Sequence, residues 1–137
     1  MHTPQFLVAA LVAASATLAG AISLEPRQSS IACNVARFQI VKALGDTKSA
    51  VGDIQDPTVQ EAAAAGVKTA QGGILQVAQS LFSGAAPSAD GRTAVESGLN
   101  ATSAALAGGD TADPAIATAQ TSLADAVTAG QDVVANC

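Results

Sequence analysis

The sequence predicts an all-α protein: an antiparallel up-down four-helix bundle tied by one disulfide. Three observations predict it. Between Cys33 and Cys137, apolar residues recur at helical spacing in four segments. Short links built from Asp-Pro, Ser-Gly and Gly-Gly separate the segments, and such pairs break helices. Finally, Cys33 opens the first segment and Cys137 closes the last, so an up-down order brings both to one end of the bundle.

The first 21 residues read as a secretory signal peptide. Phe6 to Leu18 is an apolar run of the length of an h-region, and Ala19-Gly20-Ala21 gives the small-x-small cleavage pattern. The run is too short for a membrane span and no stop-transfer charges follow it. Residues 22–27, Ile-Ser-Leu-Glu-Pro-Arg, then read as a short pro-segment. A cut after Arg27 would leave Gln28 at the mature N-terminus, where it can cyclise. The mature domain is therefore expected to span 28–137. Secretion makes Cys33–Cys137 most simply an internal disulfide.

The first helix is expected over 31–54, with Ile40, Leu44, Val51 and Ile54 on one stripe that Ala36 and Cys33 extend backwards. Asp56-Pro57 then supplies an N-cap and a first-turn proline. The second helix runs to about residue 82, with Val59, Ala63, Ala70, Ile74, Val77 and Leu81 on one face. Gly66, Gly72 and Gly73 fall inside it, and a kink or break is expected near Gly72. The stretch 83–88 is a turn whose Ser88 caps a third helix over 89–107, striped by Val95, Leu99 and Leu106 with Thr102 between them. Asp113-Pro114 repeats the cap-and-proline start. The fourth helix places Ile116, Leu123, Val127 and Val134 on one face and Asp125 and Asp132 on the other. The shared Asp-Pro start hints at a duplicated helical hairpin, although the remaining identity is too low to claim one.

Composition narrows the function. Hydrophobic residues make up 49% of the chain, but aromatics only 2% and charged residues 12%. Alanine fills the gap; it favours helix and hides little surface, so the core should be shallow and the helices close. The net charge is −5, and the basic residues of the mature domain (Arg37, Lys42, Lys48, Lys68, Arg92) are scattered. Nucleic-acid binding is not expected without a basic patch, and the acidity disfavours anionic membranes.

The mature domain has no His, Tyr or Trp. Ser-His-Asp and Cys-His sites and the usual zinc and iron ligand sets are thereby excluded. No glycine loop follows a strand, so no phosphate cradle or cofactor is expected. The carboxylates fall on polar helix faces; Asp125 and Asp132 share one, where a weak calcium site competes with a plain solvated face. Catalysis is not expected. Asn100-Ala101-Thr102 is a glycosylation sequon, and Asn100 should be exposed because it points away from the Val95–Leu99–Leu106 stripe. Phe38 and Phe82 lie off their stripes, as do Val35 and Val41, and the bundle brings both rings to the disulfide end. One expectation is that they plug that end of the core. The other makes Val35, Phe38 and Phe82 an apolar mouth or patch for a lipid or hydrophobic surface, with small residues leaving room inside for an acyl chain.

The signal peptide, the Pro26-Arg27-Gln28 junction, the alanine-rich helices and the acidic balance resemble small secreted fungal cell-surface proteins. The named group that the chain is similar to is the hydrophobic surface-binding protein A and cell-wall galactomannoprotein family. That resemblance implies a secreted helical domain that adsorbs to hydrophobic surfaces or binds lipid in or near the cell wall. It carries no functional residue across, because no motif is diagnostic. Two functions are therefore expected to compete: a non-enzymatic surface protein binding a lipid, a hydrophobic surface or a cell-wall polymer, and a secreted effector or inhibitor docking on a host or competitor protein. The second would show a continuous apolar patch along one bundle face in place of an internal cavity.

Overall fold

The computed structural model describes residues 30–137. The expected signal peptide (1–21) and pro-segment (22–27) lie outside the described residues. Four helices follow one another: α1 (Ile31–Gly52), α2 (Pro57–Phe82), α3 (Ala89–Ala107) and α4 (Pro114–Asn136). Side-chain caps start all four. The Ser30 hydroxyl accepts from the Cys33 amide at 3.1 Å, and Ser88 accepts from Gly91 at 3.0 Å. Asp56 accepts from Thr58 at 2.9 Å and Asp113 from Ala115 at 2.9 Å, each with proline at the first helical position. These bonds occupy amides that have no partner within the helix.

α2 ends in a Schellman motif. The Ala85 amide donates to Ser80 at 2.9 Å and the Gly84 amide to Leu81 at 3.1 Å. Gly84 has φ of 77°, in the left-handed region that a side chain disfavours. The first helix stops two residues before the expected end, at Gly52. Ile54 is nevertheless buried and closes the core from the link.

The four helices form an antiparallel bundle made of two close pairs. α1 lies against α4 and α2 against α3, while the contacts between the pairs are sparser. The expected disulfide is present, joining Cys33 to Cys137 across 104 residues with Cα atoms 5.0 Å apart. The two ends of the bundle differ. One, the disulfide end, holds Cys33, Cys137 and the 83–88 turn. The other, the link end, holds the connections 53–56 and 108–113.

Small residues set the spacing of the α2–α3 pair. A Cβ on Gly66 would stand 2.6 Å from the Thr102 amide nitrogen, and one on Gly98 2.8 Å from the Ala70 Cα. One on Gly73 would stand 2.7 Å from the Val95 nitrogen, and one on Gly91 2.8 Å from the Gly73 carbonyl. These are backbone-to-backbone approaches. The expected break near Gly72 does not occur, because α2 is continuous and the contact made at Gly73 offsets the weak helix propensity there. Gly72 itself faces open space.

The core is built from Leu44, Val51, Val67, Leu99, Leu106 and Ile116, with alanines between them. Two threonines are fully buried, Thr47 and Thr102. Each hydroxyl donates to the carbonyl one turn earlier, Thr47 to Ala43 at 2.7 Å and Thr102 to Gly98 at 2.8 Å, so neither donor is stranded. Val95, Val77, Leu81 and Val134, expected on core stripes, are only half-buried, as is Ile74.

Candidate functional site

The candidate site is the apolar surface near the disulfide end. The first turns of α1 bury Cys33, Ala36 and Ile40. Phe38 stands two residues from Ile40, about 200° round a helix of 3.6 residues per turn, and therefore points outward. It is 69% exposed, and Ile31 is 83% exposed. Val35 and Val41 are exposed as well. The spacing 31, 35, 38 places three of these side chains in one row, with Val41 at its edge. The first three turns of α1 are thus apolar on two opposite sides, only one of them in the core, and the outer row continues as the charged pair Lys42 and Asp46.

Phe82 is the last residue of α2 and is 91% exposed. Leu75 lies two turns earlier and is also exposed. The expectation that Phe38 and Phe82 plug the core is therefore overturned: Phe38 points away from the buried Cys33–Ala36–Ile40 face of α1, and Phe82 stands at the tip of its helix. The expected internal room for an acyl chain is not formed from the small residues either. Gly66, Ala70, Gly73, Gly91 and Gly98 are used to bring two backbones together. Sequence reasoning singled out Val35, Phe38 and Phe82 but passed over Ile31 and Leu75. The available signal was spacing: Ile31 is a helical repeat from Val35 and Phe38, and Leu75 is seven residues from Phe82.

Asn100, expected in the open, is half-buried, and its Oδ1 is enclosed without a hydrogen-bond partner. Glu96, Asn100 and Ser103 form a half-buried flank beside the Leu99–Leu106 row. In a bundle each helix has two neighbours, so burial extends beyond the central stripe.

The remaining polar clusters serve the fold. A half-open hollow at the link end is lined by Ile54, Gln55, Asp56, Asp110, Ala112, Asp113 and Ile116. Its three carboxylates accept backbone amides: Asp56 from Thr58, Asp110 from Ala112, and Asp113 from both Ala115 and Gln55. Among the described residues, no group of three or more His, Cys, Asp or Glu is placed to hold a metal. Lys42 pairs with Asp46 at 2.7 Å on the surface of α1. That hydrogen bond, with the Asp46 charge, raises the lysine above its ordinary value of 10.5, and Asp125 adds to the effect.

Among the described residues, no helix is long and apolar enough to cross a membrane. The disulfide and this lack of a span are compatible with a secreted protein. Comparison of the chain with protein-family models, with curated proteins and with solved structures finds no significant match.

Proposed function

We propose that the protein is a non-enzymatic secreted surface protein that binds a lipid or hydrophobic surface, in the cell wall or outside it. The observation that carries this reading is the outward row Ile31, Val35 and Phe38 on α1. An ordinary surface helix turns its apolar side to the core and a polar side to water, and the first three turns of α1 do not. Leu75 and Phe82 add apolar surface on α2. The resemblance to the hydrophobic surface-binding protein A and galactomannoprotein family supports the same reading. With a net charge of −5, the partner surface is neutral or zwitterionic, not anionic.

The second reading, an effector or inhibitor docked on another protein, is favoured by the lack of internal room among the small residues and by the apolar row on an outer face. The positions 31, 35, 38 and 41 have the spacing with which a helix fills a groove. Area does not separate the two, because at their exposures these four side chains present on the order of 500 Å², about the apolar share of the ~800 Å² per partner of a standard stable interface. The test is adsorption of the secreted, oxidised protein to alkyl-coated and to bare silica at physiological salt. Retention on the alkyl surface alone is the expected result. Equal retention on both, or on neither, would refute the reading.

A further inference from the structure

We infer that the bundle opens at its disulfide end, parting the α1–α4 pair from the α2–α3 pair, and that the seam so exposed receives the acyl chains of a neutral or zwitterionic lipid surface. The inference rests on the surface-binding reading above and adds the part of the molecule that makes the contact.

Connectivity comes first. The two links that join the pairs, 53–56 and 108–113, lie together at one end. The Gln55 amide of one link donates to Asp113 at the end of the other at 3.0 Å, and Gln60 of α2 donates to the Gly52 carbonyl of α1 at 2.7 Å. Those bonds hold the pairs together beside the links. At the opposite end each pair is closed on itself. Cys33–Cys137 joins α1 to α4, Ser30 reaches the Asn136 carbonyl at 3.5 Å, and the 83–88 turn joins α2 to α3. The disulfide lies within one pair, so it does not oppose their separation. The link end is the hinge and the disulfide end is the mouth.

Packing points the same way. Within the α2–α3 pair, glycine and alanine bring the backbones together, and α1 and α4 are also in close contact. Between the pairs the contacts are sparser. At the link end Val51, Ile54, Leu106 and Ile116 are all buried, with Ile54 and Ile116 also bordering the half-open hollow there. Towards the mouth, Ile74, Val95 and Val133 are packed against the core but only partly buried, and Val77 and Leu81 are half-buried. The seam is thus already partly wet where parting would begin. Apolar contacts given up there are replaced in kind by acyl chains, which costs little when the new neighbour is hydrocarbon. Phe38 and Phe82, exposed near the same end, make first contact.

The test uses the oxidised protein with nitroxide labels on ketone-bearing non-canonical residues, which leaves the disulfide untouched. One labelled pair, at Gln39 and Gln79, spans the two helix pairs; the other, at Gln79 and Thr93, lies within the α2–α3 pair. Distances are measured by pulsed electron resonance in buffer and with dodecylphosphocholine micelles, and binding is read separately as co-elution. The expected result is co-elution, a gain across the pairs of about one interhelical spacing, ~10 Å, and no change within the α2–α3 pair. Co-elution with both distances unchanged overturns the opening and leaves the closed outer surface as the binding face. Widening of both distances overturns it in favour of general loosening. Absence of co-elution overturns the surface-binding reading and the opening with it.

Discussion

Gly72 and Gly73 are neighbours in one helix with opposite surroundings. Gly72 meets nothing within 4 Å, as does Gly45 in α1, whereas Gly73 lies against the backbone of α3. Gly45→Ala and Gly72→Ala should each stabilise the protein by about 0.5–1 kcal/mol, the helix-propensity gain. Gly98→Ala places a methyl group on the α2 backbone and should destabilise by roughly 1–3 kcal/mol or more. Urea melts of the three variants check both signs. Gly84 is a third case: it has open space but a left-handed φ, so Gly84→Ala should cost about 1 kcal/mol from the backbone alone. The Lys42–Asp46 pair shows how little an exposed contact adds. Because the folded lysine is raised above 10.5, its contribution is present below that pH and is lost as pH rises through the folded value. The pair is solvated, so Asp46→Ala should leave the melting midpoint at pH 7 within error.

At the scale of the elements, the caps set where helices begin, and they were legible. Asp56 and Asp113 cap as their residue type and the following proline indicate, and Ser88 caps as its residue type indicates. Asp56 accepts two amides of its own helix, Thr58 and Val59, whereas the second oxygen of Asp113 accepts the Gln55 amide from the neighbouring link. Asp113→Ala should therefore cost about 2 kcal/mol, the upper end for a cap, and Asp56→Ala about 1 kcal/mol. Thermal melts of the two variants would rank them, and an equal loss would mean that the Gln55 bond adds nothing. The stripes were legible where core surrounds a helix, as for Ile40–Leu44–Val51. They misled for Val77 and Leu81, which continue the α2 stripe into a region that the partner helices cover only partly. Periodicity reports the direction a side chain takes from its helix axis, and not whether another helix stands there.

For the whole molecule, two cysteines at the ends of the first and last helices were enough to orient the bundle. What they did not reveal is which helices pair closely. That depends on glycines meeting across α2 and α3: Gly66 opposite Thr102, Gly98 opposite Ala70. Read along one chain, each glycine is a helix breaker; matched across two helices, each is a contact. The apolar surface was half legible for a similar reason. Phe38 and Phe82 stood off the stripes, but whether they filled a gap or faced water depended on whether another helix stood against that side of α1 and that end of α2. The disulfide spans 104 residues, and the chain-entropy model gives such a loop a contribution of ~4–5 kcal/mol. Cys33→Ser with Cys137→Ser should lower the free energy of unfolding by up to that amount, read by urea melts, and should leave the α2–α3 pair the more persistent half of the molecule.

The most direct test of the central claim is an adsorption isotherm on alkyl-coated silica for the native protein and for Phe38→Ser/Phe82→Ser. Burying a phenylalanine is worth roughly 1.5–3 kcal/mol, so partial burial of two rings should make the variant's affinity about tenfold to a hundredfold weaker. Because both rings face water in the free protein, its thermal midpoint should not change. An unchanged isotherm would contradict the account, and so would a variant that lost its fold together with its adsorption, since the rings would then belong to the core.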